Sequence, residues 1–192
     1  MSVVTDEAGV SRCAWSAGDD EYRRYHDEEW GVALHGDRPL FEKLSLEGFQ
    51  AGLSWITILR RRPNFRRAFG DFDIDAVSEL TTSDVERLML NPGIIRNRAK
   101  IVATISNARI TRALVRDDPG ALDRMIWSFA PNRRARPPGA GEVPAVTAES
   151  TAMSKALRGL GYRFVGPTTL YALMQSSGMV DDHFASCWRA GR

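Results

Sequence analysis

One carboxylate, Glu47, lies in the almost uncharged stretch LEGFQAGLSWITIL, residues 46–59. At about 100° per residue, the spacing of a helix, Glu47 falls on the same side as the apolar Leu40 and Leu44. A carboxylate removed from water must be paired, hydrogen-bonded or protonated, and such groups concentrate in functional sites. The sequence therefore leaves two interpretations open for Glu47, a buried ion pair with an arginine or a functional carboxylate.

Two cysteines and two histidines near the ends of the chain form a second candidate site. Cys13 and His26 have twelve residues between them, whereas His183 and Cys187 are four apart, which predicts that they share one face of a helix. Two thiolates and two imidazoles can hold one zinc ion tetrahedrally, and such a site is structural because it leaves no position for water. The spacing across the two ends is not diagnostic, so two unrelated pairs of side chains remain the alternative.

Aromatic side chains are concentrated near Glu47. Five of the nine Trp and Tyr residues lie within the first 55 positions: Trp15, Tyr22, Tyr25, Trp30 and Trp55. Aromatic rings usually form the core of a protein, and that is the default interpretation. A pocket for a nucleobase, however, needs stacking faces and a polar group at the base edge, and electron-rich rings also attract a cationic base. A carboxylate among Trp and Tyr rings is a suitable composition for such a pocket.

The segment SDVERLMLNPGIIRNRAKIVATISNA, residues 83–108, predicts two helices joined by a tight NPG turn. In a helix-hairpin-helix of this kind, backbone N–H groups at the start of the second helix can bind a phosphate. The cationic side chains available there are those of Arg96, Arg98 and Lys100. Such contacts position a duplex without reading its sequence. Because a Pro-Gly turn also occurs in ordinary helical hairpins, the segment alone leaves DNA contact open.

The elements that must position these residues are predicted to be helices. Apolar residues recur with helical spacing along almost the whole chain, and no stretch shows the alternation expected of a strand. We therefore predict an all-α protein, with a flexible N-terminal tail at residues 1–11 and a single helical domain at 12–192, built either as one body or as two lobes. Residues 131–150 hold four of the nine prolines and predict a long loop. The candidate helices are residues 19–28, 38–50, 53–61, 63–69, 73–79, 83–90, 95–115, 119–129, 150–159, 167–177 and 180–188.

Composition limits the class of protein. The 192 residues, 43% hydrophobic and 26% charged, are typical of a soluble globular chain. The net charge of +2 selects no partner, although arginine clusters at 60–67, 96–100 and 131–136 could follow phosphates. No apolar run approaches the roughly 20 residues of a membrane span, and the N-terminus lacks the apolar core of a signal peptide. We therefore expect a cytoplasmic monomer with no membrane partner, in which a disulfide between Cys13 and Cys187 does not form.

Several long motifs follow one another along the chain. They are RCAWS (12–16), YRRYHDEEWGV (22–32), LFEKLSLEGFQAGLSWITIL (40–59), NPGIIRNRAKI (91–101), WSF (127–129), SKALRGLGYRFVGPTTLYALMQSSGMVDDH (154–183) and Cys187. Together they closely resemble the 3-methyladenine DNA glycosylase I family. The resemblance runs from residue 12 to residue 188 and is specific, because the motifs coincide without rearrangement.

This resemblance implies a helix-hairpin-helix DNA glycosylase fold and an enzyme of DNA base excision repair. Such an enzyme flips 3-methyladenine out of alkylated double-stranded DNA and hydrolyses its N-glycosidic bond, which leaves an abasic site and free 3-methyladenine. It further implies no organic cofactor and one structural zinc ion that joins the chain termini. The implied zinc ligands are Cys13, His26, His183 and Cys187.

The resemblance also implies roles for the residues around the pocket. Glu47 would be the catalytic residue, at the edge of the flipped base, with Trp55 as a stacking face. Gly52-Leu53 would form the loop that enters the gap left by the extruded nucleotide. The other implied base-binding residues are Tyr22, Tyr25, Trp15 and Trp30, and the other implied DNA-binding residues are Gly93, Ile94, Arg96, Arg98 and Lys100.

Methylation at N3 makes adenine cationic and a good leaving group, so the reaction needs little protonation of the departing base. The family that the chain resembles accordingly lacks the catalytic aspartate of other helix-hairpin-helix glycosylases. We expect no lysine in the pocket, so strand cleavage through a Schiff base is not expected. Two other classes compete with this hypothesis. A DNA-binding module without enzymatic activity would share the hairpin but not need Glu47 among aromatic rings, and a zinc hydrolase would need an open metal position.

Overall fold

The computed structural model describes residues 2–132 and 136–191 and confirms the mostly helical class. None of the helices in these residues is long and apolar enough to cross a membrane. The α-helices are α1 (Asp20–Glu28), α2 (Asp37–Gln50), α3 (Trp55–Ala68), α4 (Ile74–Ser78), α5 (Thr82–Leu90), α6 (Arg98–Val115), α7 (Ala121–Trp127), α8 (Ala148–Gly159) and α9 (Pro167–Ser176). Short 3-10 helices lie at Ala14–Ser16, Gly70–Phe72 and Ala140–Glu142.

The N-terminal residues form a small antiparallel sheet. Strand β1 (Val3–Thr5) pairs with β2 (Ser11–Cys13), and the Asp6 carboxylate accepts two backbone N–H bonds inside the turn between them. The prediction of a chain without strands is wrong here, because three-residue strands are too short to show an alternating pattern. The flexibility predicted for residues 1–11 stays a prediction, although residues 3–11 take part in this hairpin. The hairpin matters for function because β2 ends at Cys13.

Two predicted helix assignments also need correction. The segments 53–61 and 63–69 form one continuous helix, α3, which contains Pro63 in its interior. Residues 180–188 form turns instead of a helix, so His183 and Cys187 do not share a helical face. The four-residue spacing in that segment was compatible with a helix, but its backbone forms hydrogen bonds with distant parts of the chain instead.

Helix α2 lies at the centre of the fold. It contacts α3, α6, α7 and α9, and most of its residues from Leu40 to Phe49 are buried, including Lys43 and Glu47. A helix enclosed on several sides has few positions from which a charged side chain can reach water. Two ionisable groups on α2 are therefore held away from solvent.

The proline-rich segment 131–150 is only partly a loop. It contains the 3-10 helix Ala140–Glu142, and α8 begins within it at Ala148. Residues 133–135, which belong to the basic cluster predicted at 131–136, lie outside the described residues.

Candidate active site and metal centre

A cavity of about 350 Å³ is lined by the residues that were predicted to form a base pocket. Its predicted lining residues are Trp15, Tyr22, Tyr25, Trp30, Glu47 and Trp55. Further lining residues that the sequence did not indicate are Gln50, Ala140, Val143, Ala172, Gln175, Ser176, Asp182 and Phe184. The six predicted residues therefore lie close together around one cavity. The role of each residue in binding a base stays a prediction.

Glu47 is the buried carboxylate of this cavity. Only 3% of its surface is exposed, and its Oε1 accepts a hydrogen bond of 2.9 Å from the Ser176 hydroxyl. Its Oε2 has no hydrogen-bond partner among the described residues. Burial raises the pKa of Glu47 to about 7, against the opposing effects of the Lys43 charge and the Ser176 hydrogen bond. The carboxylate is thus not held in the arginine ion pair that remained an alternative.

The aromatic rings enclose the cavity from several directions. Tyr25 and Trp55 lie with ring centroids 5.5 Å apart, and Trp15 packs edge-on against Tyr22 and Trp30 at 5.4 and 5.1 Å. The Nε1 of Trp55 is buried without a hydrogen-bond partner in the described structure. An unpaired donor and the unpaired acceptor on Glu47 therefore occur among the residues of one pocket, and buried polar atoms normally have partners.

Two polar residues of the C-terminal segment complete the pocket. The buried Asp182 carboxylate accepts hydrogen bonds from the Tyr171 hydroxyl at 2.6 Å and the Gln175 amide at 2.8 Å. Ser176, one residue after Gln175, contacts Glu47 across 129 residues of sequence. Nothing in the sequence QSSGMVDDH marked these residues, because their function depends on contacts that form only in the folded chain.

The four predicted metal ligands do come together. The candidate ligand atoms of Cys13, His26, His183 and Cys187 lie within 4.8 Å of one another, and all four residues are buried. The Cys187 sulfur is 3.4 Å from His26 Nε2 and 3.7 Å from His183 Nδ1, and the Cys13 sulfur is 3.9 Å from His183 Nδ1. Tetrahedral zinc with sulfur and nitrogen ligands requires ligand separations of roughly 3.3–3.8 Å. Two of the three separations lie in that range, so the donor set suits a closed four-ligand site whose wider separations, up to 4.8 Å, would contract around an ion.

Neighbouring groups fix the orientation of both imidazole rings. The Asp27 carboxylate lies 2.8 Å from His26 Nδ1, which leaves Nε2 directed at the sulfur atoms. The Trp30 carbonyl lies 3.1 Å from His183 Nε2, which leaves Nδ1 on the inside. Metal-binding histidines usually have such a partner on the second ring nitrogen. Trp30 therefore links the cluster to the aromatic cavity.

The thiols of Cys13 and Cys187 influence each other's ionisation. The hydrogen bond between them raises the pKa of Cys13 and lowers the pKa of Cys187, which His183 and His26 lower further. A metal ion binds cysteine as the thiolate, and the surroundings of Cys187 favour that form.

Residues 51–54 connect α2 to α3 and contain the predicted Gly52-Leu53 loop. Gly52 has a φ of 84°, a conformation that favours glycine, and Leu53 is an exposed apolar side chain, 42% accessible. The Lys100 ammonium donates hydrogen bonds to the Phe49 and Ala51 carbonyl oxygens, at 2.7 and 2.6 Å. Lys100 is thus buried beneath the loop and is not placed on the surface with the cations of the predicted hairpin.

The predicted hairpin forms between α5 and α6. Gly93 lies in the turn, where a Cβ atom would come within 3.0 Å of Asn64, and Ile94 is buried beneath it. Arg96 is exposed, whereas Arg98 forms two hydrogen bonds with Glu86, at 2.6 and 2.7 Å. The structure therefore presents the turn and Arg96 at the surface and holds Arg98 against α5.

Comparison with known proteins gives consistent matches over almost the whole chain. A family model described as methyladenine glycosylase matches residues 15–190. DNA-3-methyladenine glycosylase 1 of Escherichia coli (strain K12) is 44% identical over 181 residues, which are 93% of this chain and 96% of that protein. A crystal structure of 3-methyladenine DNA glycosylase I is 42% identical, with a TM-score of 0.90, and covers 93% of this chain and 99% of its own. A crystal structure of a variant of 3-methyladenine DNA glycosylase I in complex with 3-methyladenine is 31% identical, with a TM-score of 0.88, and covers 94% of this chain and 98% of its own.

Proposed function

The chain belongs to the methyladenine glycosylase family, and from that premise we propose that its reaction takes place in the aromatic pocket beside Glu47. The activity is that of a DNA-3-methyladenine glycosylase I in base excision repair. The enzyme removes 3-methyladenine from alkylated duplex DNA by hydrolysing the N-glycosidic bond. The products are an abasic site and free 3-methyladenine, and as a monofunctional glycosylase the enzyme would leave the DNA strand uncut.

The observation that supports this site most strongly is the unpaired oxygen of a fully enclosed carboxylate. Glu47 uses one oxygen to accept from Ser176 and has no described partner for the other. A flipped adenine carries N–H donors at its edge, and methylation at N3 adds a positive charge. Glu47 can accept from the edge, while the Tyr25 and Trp55 rings stabilise the charge through their faces.

Cleavage of the glycosidic bond moves the positive charge from the base to the sugar. The base leaves as a neutral molecule and needs no added proton, so the pocket requires no strong general acid. Water then attacks the cationic sugar carbon and releases one proton to the solvent, which leaves the hydroxyl group of the abasic site. Among the described residues that line the pocket none is a lysine, in keeping with hydrolysis without a Schiff base.

Contacts with DNA are proposed at two neighbouring surfaces. Leu53, exposed at the tip of residues 51–54, would fill the gap that the extruded nucleotide leaves in the duplex. The hairpin turn with Gly93 and Ile94, together with Arg96, would contact a phosphate. Arg98 could add a contact only by leaving Glu86, and Lys100 would act indirectly by holding the loop.

We propose that the Cys13, His26, His183 and Cys187 cluster holds one structural zinc ion. When bound, zinc would supply four strong bonds that join the N-terminal hairpin to the C-terminal turns. Because His183 also contacts Trp30, the metal centre would help to fix one wall of the base pocket.

The assignment of the pocket is tested by release of methylated purine from alkylated duplex DNA. We expect Glu47→Gln and Trp55→Ala to lose at least about 2 kcal/mol of transition-state stabilisation, which is roughly thirtyfold in rate. The matched control is Glu7→Gln, which neutralises an exposed carboxylate in the N-terminal turn. Undiminished release by both pocket variants would show that the reaction takes place elsewhere.

A further inference from the structure

A buried cation lies directly behind the base pocket. Lys43 is only 8% exposed and stands on α2 four residues, about one helical turn, before Glu47. Its ammonium is 5.2 Å from the centroid of the Tyr25 ring and 5.5 Å from that of Trp55. Lys43 lines a separate cavity of about 230 Å³ and is not among the lining residues of the base pocket. The Lys43 charge therefore lies behind the aromatic rings that form the pocket wall and affects the electrostatic potential inside the pocket from there.

The other carboxylates near Lys43 already have cationic partners. Glu29 accepts two hydrogen bonds from the Arg62 guanidinium, at 2.5 and 2.8 Å, and Glu42 accepts one from Arg66 at 2.8 Å. Glu47 has only a serine hydroxyl as its described partner. Lys43 is thus the cation whose removal would leave Glu47 without a nearby positive charge.

We propose that Lys43 is a positioning residue that favours the ionised form of Glu47 at neutral pH, so that the carboxylate can accept hydrogen bonds from a base. This inference rests on the proposed role of Glu47. Burial alone would favour the protonated acid, and a protonated Glu47 would have only one oxygen fit to accept. A cation enclosed in the same low-dielectric region opposes that effect without occupying space in the pocket.

Other groups around Glu47 do not supply this charge. Tyr25 on α1 stays neutral because burial and the Glu47 charge hold the pKa of its phenol well above the usual value. Asp182, across the pocket, is a further carboxylate and cannot stabilise an anion. Arg62 on α3 is bound by Glu29, and the pKa of Lys43 itself is lowered by burial but supported by Glu47 and Glu29.

The first test measures the ionisation of Glu47 directly. Proteins labelled with ¹³C at the glutamate side-chain carboxyl are titrated by NMR, and the Glu47 signal is identified by its loss in Glu47→Gln. Replacing Lys43 by methionine, a side chain of similar length without the charge, should reduce the ratio of ionised to protonated Glu47 at neutral pH about tenfold. Lys155→Met removes the same charge from an exposed position of α8 and should leave the titration unchanged. An unshifted Glu47 titration in Lys43→Met would overturn the inference.

The second test follows base release against pH. Lys43→Met should lose about fivefold in kcat/KM at neutral pH, because the ionised fraction of Glu47 falls from about one half to about one tenth, and regain most of the native rate near about pH 9. Lys43→Arg retains the charge and should keep the native midpoint, which also provides a folded comparison if the methionine variant is unstable. A loss that is equal at every pH would indicate a merely structural lysine. If Glu47→Gln releases base as the native protein does, the proposed role of Glu47 fails, whereas the NMR titration still decides whether Lys43 favours its ionisation.

Discussion

Replacing Lys100 by methionine tests whether the loop that would enter DNA is held from below. Lys100 is 7% exposed on α6, and its ammonium donates to the Phe49 and Ala51 carbonyl oxygens at 2.7 and 2.6 Å. These carbonyls end α2, where a positive charge is also favourable to the helix dipole. Leu53 follows two residues later. The substitution therefore removes the support of the loop and leaves Leu53 itself unchanged.

The size of the effect follows from the two hydrogen bonds. Each bond to a charged donor contributes about 1.5–3 kcal/mol, so their sum is about 3–6 kcal/mol. Removing the ammonium also removes the cost of burying it, which offsets part of that sum. We expect the free energy of unfolding to fall by about 2 kcal/mol, and the melting temperature by about 4–8 °C.

Urea denaturation measures the stability change, and single-turnover release of methylated purine measures the functional one. We expect the release rate from duplex DNA to fall by at least about tenfold while the affinity for free 3-methyladenine changes less than about twofold, since the base pocket stays intact. Lys155→Met is the control for loss of a lysine charge. A Lys100→Met variant with native stability and native release would refute the account of the loop.

Three further predictions concern the pocket and the metal centre. Folding raises the pKa of Glu47 from 4.5 to about 7. The stability that the protonated Glu47 gives the folded state is therefore present below about pH 4.5 and is lost as the pH rises through about 7. The free energy of unfolding should fall by about 3 kcal/mol over this range. Urea titrations should show this loss in the native protein and not in Glu47→Gln, and parallel pH dependence in both would contradict it. Ser176→Ala should raise the Glu47 pKa further and slow release at neutral pH about fivefold, as NMR titration and release assays can check; an unchanged rate would count against the contact. Purified native protein should contain one zinc per chain, and Cys187→Ser should lose the metal and at least about 3 kcal/mol of stability. Metal analysis measures the zinc content, and urea denaturation measures the stability. A native protein that contains no metal and is no more stable than Cys187→Ser would refute the site.

Helical spacing predicted the burial of Glu47 because the position of a residue on a helix follows from local sequence alone. The same reasoning placed His183 and Cys187 on a helix, where the structure has turns, although the cluster itself forms. Sequence spacing can indicate which ligand types occur together but not the backbone that carries them.

The electrostatic surroundings of the site could not be predicted in the same way. Ser176 donates to Glu47, and Lys100 donates to residues 49 and 51, through contacts fixed by the packing of α2 against α9 and α6. Lys100 was predicted to contact DNA because it follows two arginines in a basic segment. In the structure Lys100 lies on the inward face of α6 and is buried. The strands could not be predicted for a different reason, because three residues, as in β1, are too few to show an alternating pattern.

The most direct test of the central claim is incubation of the native protein with alkylated duplex DNA, followed by analysis of both the released bases and the DNA strands. We predict that free 3-methyladenine appears in solution and that the strands remain intact until alkali breaks them at abasic sites. Tight binding to the duplex without release of any methylated base would contradict it and would identify a DNA-binding module instead of an enzyme.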